Sequence, residues 1–434
     1  MLGAVWTDDP PLDEAGMTLV SLNPLGRLTQ LIAVPVQVEN SANAALPPDW
    51  APLFSAAELD PSQWRPAQPI WTPPVSSDVR AAWIGFLAER PDIPMRIEAA
   101  VYRGKPVYFQ VIGPWNRTES RHPDQPTVGE RVSLAVIIVV FFSLLLSGAL
   151  LARRNLRQGR GDRRGAFRLA AFVFAGWAVA WLFGAHHVSS FSEFALSMEA
   201  LVWGLAWSSF SWLLYNALEP YVRRRWPATL VSWSRLLAGD FRDPLVGRDV
   251  LAGCLSGAST VVLGRVVWFI PSWLGYPPTQ PHSGPEWQFL GARSIISDVS
   301  ITLIGAPIFW LAGLFFLALL RALLRKDWLA ALAFICLNVF VTVAAGQPAA
   351  DVLVGGLIVS GLAVFLMTRF GFLTIVTNFV FWRVLETFPL TTQGSAWYAG
   401  ISLAGILLMA AIAFCAFFTS LGERPAFGGA MLEE

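Results

Sequence analysis

The chain has 434 residues, of which 55% are hydrophobic and 14% are charged, and its formal net charge is +1. Soluble domains carry about 25% charged residues, so this composition excludes an ordinary soluble protein, and the near-neutral charge gives no basis for nucleic-acid binding. The charge is also unevenly divided. Residues 1–130 contain 15 acidic and 9 basic residues, whereas residues 131–434 contain 15 acidic and 22 basic residues. We therefore predict two regions that face different solvents.

Residues 1–130 are predicted to form a small α+β domain that ends in a proline-rich linker. Residues 17–36 predict two strands joined by a turn that contains Pro and Gly, and residues 95–115 repeat this pattern. A short helix is expected at residues 51–59, and the proline-rich residues 64–74 are expected to be extended. The aromatic core of the domain is predicted to consist of Trp64, Trp71, Trp83, Tyr102, Tyr108 and Phe109.

Residues 131–420 are predicted to form an all-α transmembrane bundle, followed by a short tail at residues 421–434. A hydrocarbon core about 30 Å thick needs about 20 apolar residues at 1.5 Å rise each. About nine segments fit: 132–152, 169–188, 195–217, 250–272, 298–320, 329–346, 352–368, 371–388 and 398–419. The seventh and eighth are short, and the break at Arg369 and Gly371 is also compatible with a re-entrant turn.

The basic residues of the short loops predict the orientation of the bundle. If the first span runs inward, 18 of the Lys and Arg residues lie in inner segments and only Arg293 lies in an outer loop between spans. Such a bias places the basic loops in the cytoplasm. We expect residues 1–130 to be outside the cytoplasm and the C-terminus to be inside.

Export of the first domain needs a signal that the sequence does not contain. The segment MLGAVWTDDPPLDEAG has neither a basic nor an apolar stretch of the kind found in signal peptides. Either the first span carries the domain across unaided, or the natural polypeptide begins further upstream with another span. We favour the second alternative.

The inner loop at residues 215–249 is the most unusual segment and is a candidate coupling element. Glu219 and Arg223 stand four residues apart, so they are expected to pair on one helix face. Trp233 belongs to an apolar stripe with Arg235 on the opposite side, which predicts an amphipathic helix at the membrane interface. The simpler alternative is that the arginines anchor a helix end at anionic headgroups.

Charged residues inside predicted spans mark a second candidate site, because ionisable side chains are costly to bury in a membrane. Arg383 and Glu386 are expected to pair with each other, whereas Arg265 has no partner that the sequence identifies. These residues indicate either structural ion pairs or a transport site. Gly253 and Gly257 predict a face for close helix contact.

Two resemblances bear on function. Glu219 and Arg223 are similar to part of the glutamate–arginine motif of intramembrane proteases related to the prenyl-protein processing enzymes. Pro220 stands where that family has a second glutamate, and the only later histidine is His282. The groups that would activate water are therefore missing from the pattern.

The second resemblance covers almost the whole chain, from about Val5 to Gly422. The strings WTDDPPLDEAGM, WTPPVSSDVRAAW, YRGKPVYFQVIGPW, EPYVRRRWPATLVSWSRLLAGDFRDPLVGRDVL and FPLTTQGSAWYAG occur in this order. They resemble the membrane-embedded C-terminal portion of bacterial serine/threonine protein kinases. The resemblance implies a bacterial cytoplasmic-membrane protein, with a cytoplasmic kinase domain and one further span ahead of the outward-facing segment.

The kinase core itself is missing from the sequence. Phosphoryl transfer needs a Gly-rich loop, a strand lysine and two catalytic aspartates. The chain has only Lys105 and Lys326, contains no HRD triplet, and has Arg242 where a DFG motif has glycine. Metal-ligand spacing is also missing, so we expect no enzymatic activity, no cofactor and no metal.

The leading hypothesis is a non-catalytic membrane sensor or regulatory module. Its partners would be the lipid bilayer, a cytoplasmic kinase domain and an extracytoplasmic ligand. The alternative is a polytopic transporter or channel, suggested by the number of spans and by Arg265.

Overall fold

The computed structural model describes residues 11–36, 48–116, 127–187, 189–273, 286–344 and 355–422. It is mostly helical and divides into two compact units. The smaller unit comprises residues 5–123, and the larger unit contains most of the chain from residue 124 onward. We call the smaller unit the head and the larger unit the bundle.

The head is built on a six-stranded antiparallel sheet in the order β1-β2-β6-β5-β4-β3. The strands are β1 Thr18–Leu22, β2 Leu28–Ala33, β3 Arg65–Ala67, β4 Val79–Leu87, β5 Arg90–Tyr102 and β6 Lys105–Ile112. Both predicted hairpins are confirmed, and the glycines of their turns, Gly26 and Gly104, have positive φ values of 81° and 77°. The prediction missed β4, which pairs with β5 along most of its length.

A short helix, α1 (Ala51–Ala56), covers one face of this sheet, as predicted. Phe54 of α1 is buried and packs edge-to-face against Trp83 and Phe109. Trp64 belongs to the same core, whereas Tyr108 belongs to a smaller cluster that also includes Tyr102. The predicted aromatic core is therefore divided between two clusters, and Trp71, which was predicted to belong to it, is part of neither.

The proline-rich stretch that follows α1 is held by a buried carboxylate. Glu98 is 1% exposed, and its Oε1 accepts hydrogen bonds from Arg96 Nε at 2.6 Å and from the backbone N–H of Ile70 at 3.0 Å. A charged acceptor satisfies a backbone donor that a Pro-rich segment cannot pair in a sheet. This segment includes β3 and is extended, as predicted.

The described part of the bundle consists of helices of 8 to 34 residues. They are α2 Val128–Arg157, α3 Arg163–Gly184, α4 Ser192–Arg225, α5 Val231–Ala238, α6 Pro244–Trp273, α7 Ala292–Leu324, α8 Asp327–Ala344, α9 Leu357–Arg369, α10 Phe372–Thr387 and α11 Ala399–Leu421. Thr127 and Glu130 form a capping box at the start of α2, which satisfies the first free N–H groups of that helix.

Six of the described helices are long and apolar enough to cross a membrane: α2, α3, α6, α7, α8 and α11. Several helices of this length and composition indicate a multi-pass membrane protein. The prediction of about nine spans is not confirmed, because α9 and α10 have only 13 and 16 residues and α4, although it has 34 residues, is too polar.

The predicted break between the seventh and eighth segments is a sharp turn between two helices. Helix α9 ends at Arg369, and Gly371 has a φ of +118° before α10 begins at Phe372. A Cβ at Gly371 would lie 2.9 Å from the carbonyl oxygen of Thr229. Glycine is required here by both the left-handed backbone and the close approach.

Helices α6 and α10 pack closely because Gly253 and Gly257 place no side chain between the two backbones, which confirms the predicted glycine face. A Cβ at Gly253 would lie 2.4 Å from Thr377 Cβ, and one at Gly257 would lie 2.5 Å from Phe381 Cβ. Small residues let helix backbones approach in a membrane, where packing replaces the hydrophobic driving force.

One end of the bundle collects most of the arginines. Here α2, α4, α7, α9 and α11 end and α3, α6, α8 and α10 begin, and we call it the arginine-rich end. Arg225 and Arg321 both contact Asp327, at 3.3 and 2.5 Å, and Arg168 Nη1 donates to the carbonyl oxygen of Leu237 at 2.6 Å. The helix ends that the sequence predicts to share one side of the membrane therefore do meet.

A proline inside α4 is accommodated at this end. Pro220 has no N–H and cannot bond to the carbonyl oxygen of Asn216 four residues earlier. Asn155 Nδ2 donates to that oxygen at 2.9 Å and to the carbonyl oxygen of Ala217 at 3.2 Å. A side chain from α2 thus replaces the missing backbone bond.

The glycine contact predicts a position-specific loss of stability. We expect Gly253→Ala to lower the free energy of unfolding by about 1–3 kcal/mol, because the new methyl group overpacks the contact with α10. Gly264→Ala is the control, since a Cβ at this position of the same helix meets no atom within 4 Å. Unfolding followed by near-UV circular dichroism in detergent would measure both, and equal stability of the two variants would contradict the packing.

Candidate functional site

The amphipathic helix predicted in the inner loop is confirmed as α5, with Gly239 at a φ of +101° closing it. Its apolar side packs onto the bundle. Trp233 is 4% exposed and meets the ring of Phe372, the first residue of α10, edge-to-face at 4.9 Å. Leu236 and Leu237 pack against the same core. The prediction of a helix with its apolar stripe at the membrane interface is corrected, because bundle side chains cover that stripe.

Two arginines fix α5 in place. Arg235 Nη1 lies 2.5 Å from Asp243 Oδ2 in the turn before α6. This hydrogen bond holds the pKa of the Asp243 carboxyl below its usual value, and the backbone N–H of Leu245 also donates to that carboxyl. Arg168 of α3 donates to a carbonyl oxygen in the last turn of α5. Cations are favoured at this end of a helix because its carbonyl groups lack partners.

The predicted pair of Glu219 and Arg223 is present beside α5, with the Arg223 Nη1 atom 3.4 Å from Glu219 Oε1. The Glu219 side chain is 5% exposed, whereas that of Arg223 is 76% exposed. The neighbouring Tyr215 and Asn216 are buried, and neither the Tyr215 hydroxyl nor Asn216 Oδ1 has a hydrogen-bond partner among the described residues. The arginine-rich end therefore has a buried polar interior and a basic surface. His282 lies outside the described residues.

The charged residues in the predicted spans meet at the opposite end of the bundle. Arg265 of α6 contacts Glu386 of α10 at 3.0 Å, and Arg383 of α10 contacts Asp298 of α7 at 3.6 Å. The expected pairing of Arg383 with Glu386 is thus replaced by two contacts that cross between helices. Arg265, for which the sequence identified no partner, has an acidic one.

Asp298 also joins this cluster to the connection between α6 and α7. Gln288 is 0% exposed, and its Nε2 donates to Asp298 Oδ2 at 2.9 Å. Its Oε1 has no partner among the described residues. Sequence analysis missed both Asp298 and Gln288. Asp298 was the first residue of a predicted span, and that position could have identified it.

Between the two ends, polar side chains connect α10 to α6. Asn378 Nδ2 donates to Ser256 Oγ at 3.1 Å and to Thr260 Oγ1 at 3.2 Å. Thr374 Oγ1 donates to the carbonyl oxygen of Asp249 at 3.1 Å. Such interhelical hydrogen bonds satisfy groups that lipid cannot. An asparagine in the middle of a predicted span was the signal for this contact.

Helix α10 therefore carries all three groups of contacts. Phe372 touches α5 at the arginine-rich end, Asn378 bonds to α6 in the middle, and Arg383 and Glu386 form ion pairs at the opposite end. Most of its side chains are buried. The sequence identified the residues at both ends, but it did not show that one helix joins them.

The described residues contain no group of three or more His, Cys, Asp or Glu side chains that could hold a metal ion. Cys254, Cys336 and Cys415 are free thiols. Among the described residues, one histidine contacts an acidic side chain: His187 Nδ1 lies 2.6 Å from Glu193 Oε1. Its hydrogen bond to Glu193 raises the pKa of His187, which lies in the turn between α3 and α4.

Comparison of the chain with protein-family models, with curated proteins and with solved structures found no match. The resemblance to membrane-embedded portions of bacterial kinases therefore stays a prediction.

The contact between Arg265 and Glu386 predicts energetic coupling. We expect Arg265→Gln and Glu386→Gln each to destabilise the bundle, and the double variant to lose less than the sum of the two, with a coupling energy of about 0.5–3 kcal/mol. The reason is that each single change removes this contact between opposite charges, whereas the double change leaves neither charge in place.

A double-mutant cycle on unfolding in detergent would measure this coupling. Arg225 and Asp327 form the control pair, because they are 49% and 57% exposed and such pairs contribute little. If the losses in free energy of unfolding caused by the Arg265 and Glu386 variants are additive, their contact does not contribute to the stability of the bundle.

Proposed function

We propose that the chain is a non-catalytic sensory or regulatory module of a membrane signalling protein. In this proposal the head lies outside the cytoplasm, where it meets an unidentified ligand. The arginine-rich end faces the cytoplasm, as the positive-inside rule favours. There it acts on a protein kinase domain, either in the same polypeptide or as a separate partner.

The observation that carries this proposal is the contact of α10 with α5. A surface helix, whose one basic residue Arg235 is paired with Asp243, is joined through Trp233 and Phe372 to a buried helix. The far end of that buried helix holds Arg383 and Glu386. A displacement of α10 would move α5, because packed interiors transmit strain rather than absorb it. Coupling between distant sites requires such a continuous physical connection or a shared two-state element.

The transporter alternative loses its main motive. It was suggested by the number of spans and by Arg265 as a charge without an identified partner, and Arg265 contacts Glu386 at 3.0 Å. Balanced ion pairs between helices are expected in a bundle of any function. The protease alternative needs a second acid or a histidine beside Glu219 to activate water. The charged side chain that contacts Glu219 is Arg223, which cannot serve as that base.

The orientation can be tested by labelling. In a chain with its three cysteines replaced by alanine, we expect the Ser62→Cys variant to react with a membrane-impermeant maleimide in intact cells. The Asp240→Cys variant, in the exposed turn after α5, is expected to react only after lysis. The reverse pattern would place the head in the cytoplasm and end the sensory proposal.

Signalling through α5 can be tested with a kinase reporter. A cytoplasmic serine/threonine kinase domain and one added span are joined ahead of the chain, and autophosphorylation is measured in isolated membranes. Trp233→Ala removes the contact with Phe372 and is expected to change the signal by roughly twofold to thirtyfold, equivalent to about 0.5–2 kcal/mol of coupling.

Trp328→Ala is the matched control, because Trp328 lies in the first turn of α8 near the arginine-rich end and is 62% exposed. Equal phosphorylation in the parent and in both variants would rule out α5 as the coupling element. Autophosphorylation is also measured in a chain without residues 11–116. An unchanged level in this chain would remove the sensing role of the head.

A further inference from the structure

A large cavity lies inside the bundle, on the side of α10 that carries Asn378 and Trp382. Its volume is about 940 Å³, and it is lined by residues of α2, α3, α4, α7, α8, α9 and α10 together with Thr260 of α6. Small-molecule sites usually occupy about 300–1,000 Å³. It is a cleft rather than an enclosed void, because several of its lining residues are exposed at the surface of the bundle.

The wall of the cavity is chemically simple. Aliphatic and aromatic side chains form nearly all of it, and none of the described residues that line it is charged. An ionic ligand would therefore lose its hydration without gaining a counter-charge. The wall suits a molecule that is neutral and mostly apolar.

Two hydrogen-bond donors of this wall lack acceptors. Trp310 is 9% exposed, and its indole Nε1 is buried without a partner in the described part of the chain. Asn338 Oδ1 accepts a bond from Ser360 Oγ at 3.2 Å, but no described group accepts a bond from its Nδ2. By contrast, the Nε1 of Trp177 in the same wall donates to the carbonyl oxygen of Ala200 at 2.9 Å.

Donors without acceptors are unfavourable at this depth. The buried donor of Trp310 costs about 1–3 kcal/mol when it is unsatisfied. The Asn338 side chain is exposed in the cavity wall, where hydrocarbon offers its donor no acceptor. A carbonyl oxygen on the ligand would supply one, and it would also orient the ligand in an otherwise featureless cavity.

The cavity reaches the surface of the bundle. Among its lining residues, Ile137, Phe141, Phe309 and Val359 are exposed by 49%, 40%, 54% and 42%. Ile137 and Phe141 belong to α2 and Phe309 to α7, two helices long and apolar enough to cross a membrane. An opening among such residues faces lipid chains rather than water. A lipophilic molecule can therefore enter from the bilayer.

We infer that this cavity is a binding site for a neutral lipophilic molecule that carries a carbonyl oxygen, either an acyl ester of a membrane lipid or a quinone. The apolar wall holds the body of the molecule, and Asn338, whose side chain is exposed in that wall, donates from Nδ2 to the carbonyl group. This inference does not depend on the signalling proposal, because it concerns binding alone.

The test uses the purified full chain in detergent, with binding counted by native mass spectrometry. A diacylglycerol and menaquinone-4 are the carbonyl-bearing probes, and squalene is the probe without a carbonyl group. We expect saturable one-to-one binding of at least one carbonyl-bearing probe. The preferred probe identifies the source of the carbonyl. Failure of both to bind saturably would overturn the inference.

Two matched glycines test the location. Gly305 lines the cavity and Gly361 of α9 does not, and a Cβ at either position meets no atom within 4 Å. Gly305→Leu fills the cavity and is expected to abolish the complex, whereas Gly361→Leu is expected to bind like the parent chain. Equal binding by the two variants would place the ligand elsewhere.

A further variant tests the chemistry with little change of space. Asn338→Leu removes the exposed donor but keeps the branching of the side chain, and we expect it to weaken binding of the carbonyl-bearing probe by about threefold to tenfold. Binding of squalene should be unchanged. Equal loss for both kinds of probe would overturn the role of the carbonyl group. The assay contains no kinase, so its failure and a failure of the phosphorylation experiment are separate results.

Discussion

The burial of α10 is the constraint on which the bundle depends. At 1.5 Å per residue, its 16 residues rise about 24 Å, which is less than the hydrocarbon thickness of a bilayer. It also carries Thr374, Asn378, Arg383 and Glu386, whose polar groups have no partners in lipid. A helix of this kind is stable in a membrane only when protein surrounds it. The glycines of α6 permit that enclosure by allowing the two backbones to approach.

Because protein surrounds α10, its charged side chains pair with residues of neighbouring helices. Two residues three positions apart on one helix are close enough to pair, yet Arg383 and Glu386 contact α7 and α6 respectively. Each contact ties α10 to a different neighbour, so the pair of them restrains its rotation as well as its position. Ion pairs of this kind specify which helices are adjacent more than they stabilise the fold.

The same helix gives the bundle a physical route between its ends. A short rigid element that is packed on most sides moves as a unit, and its first residue, Phe372, touches the ring of Trp233. Helix α5 is held on its other sides by Arg168 and by the contact of Arg235 with Asp243. The cavity borders α10 at Asn378 and Trp382, so an occupant would contact the helix that connects the two ends.

The sequence determined the features that depend on local patterns. Apolar runs identified a membrane bundle, Pro and Gly placed both hairpin turns of the head, the four-residue spacing of Glu219 and Arg223 gave their contact, and the apolar stripe through Trp233 gave α5. Strand β4 was missed because its exposed and buried positions do not alternate regularly. Only the tertiary structure decided which helix is central, which partners Arg265 and Arg383 take, and that the stripe of α5 meets protein rather than lipid. The physical reason is that these contacts join residues more than 80 positions apart, and helix propensity and hydropathy are the same whichever neighbour a helix meets.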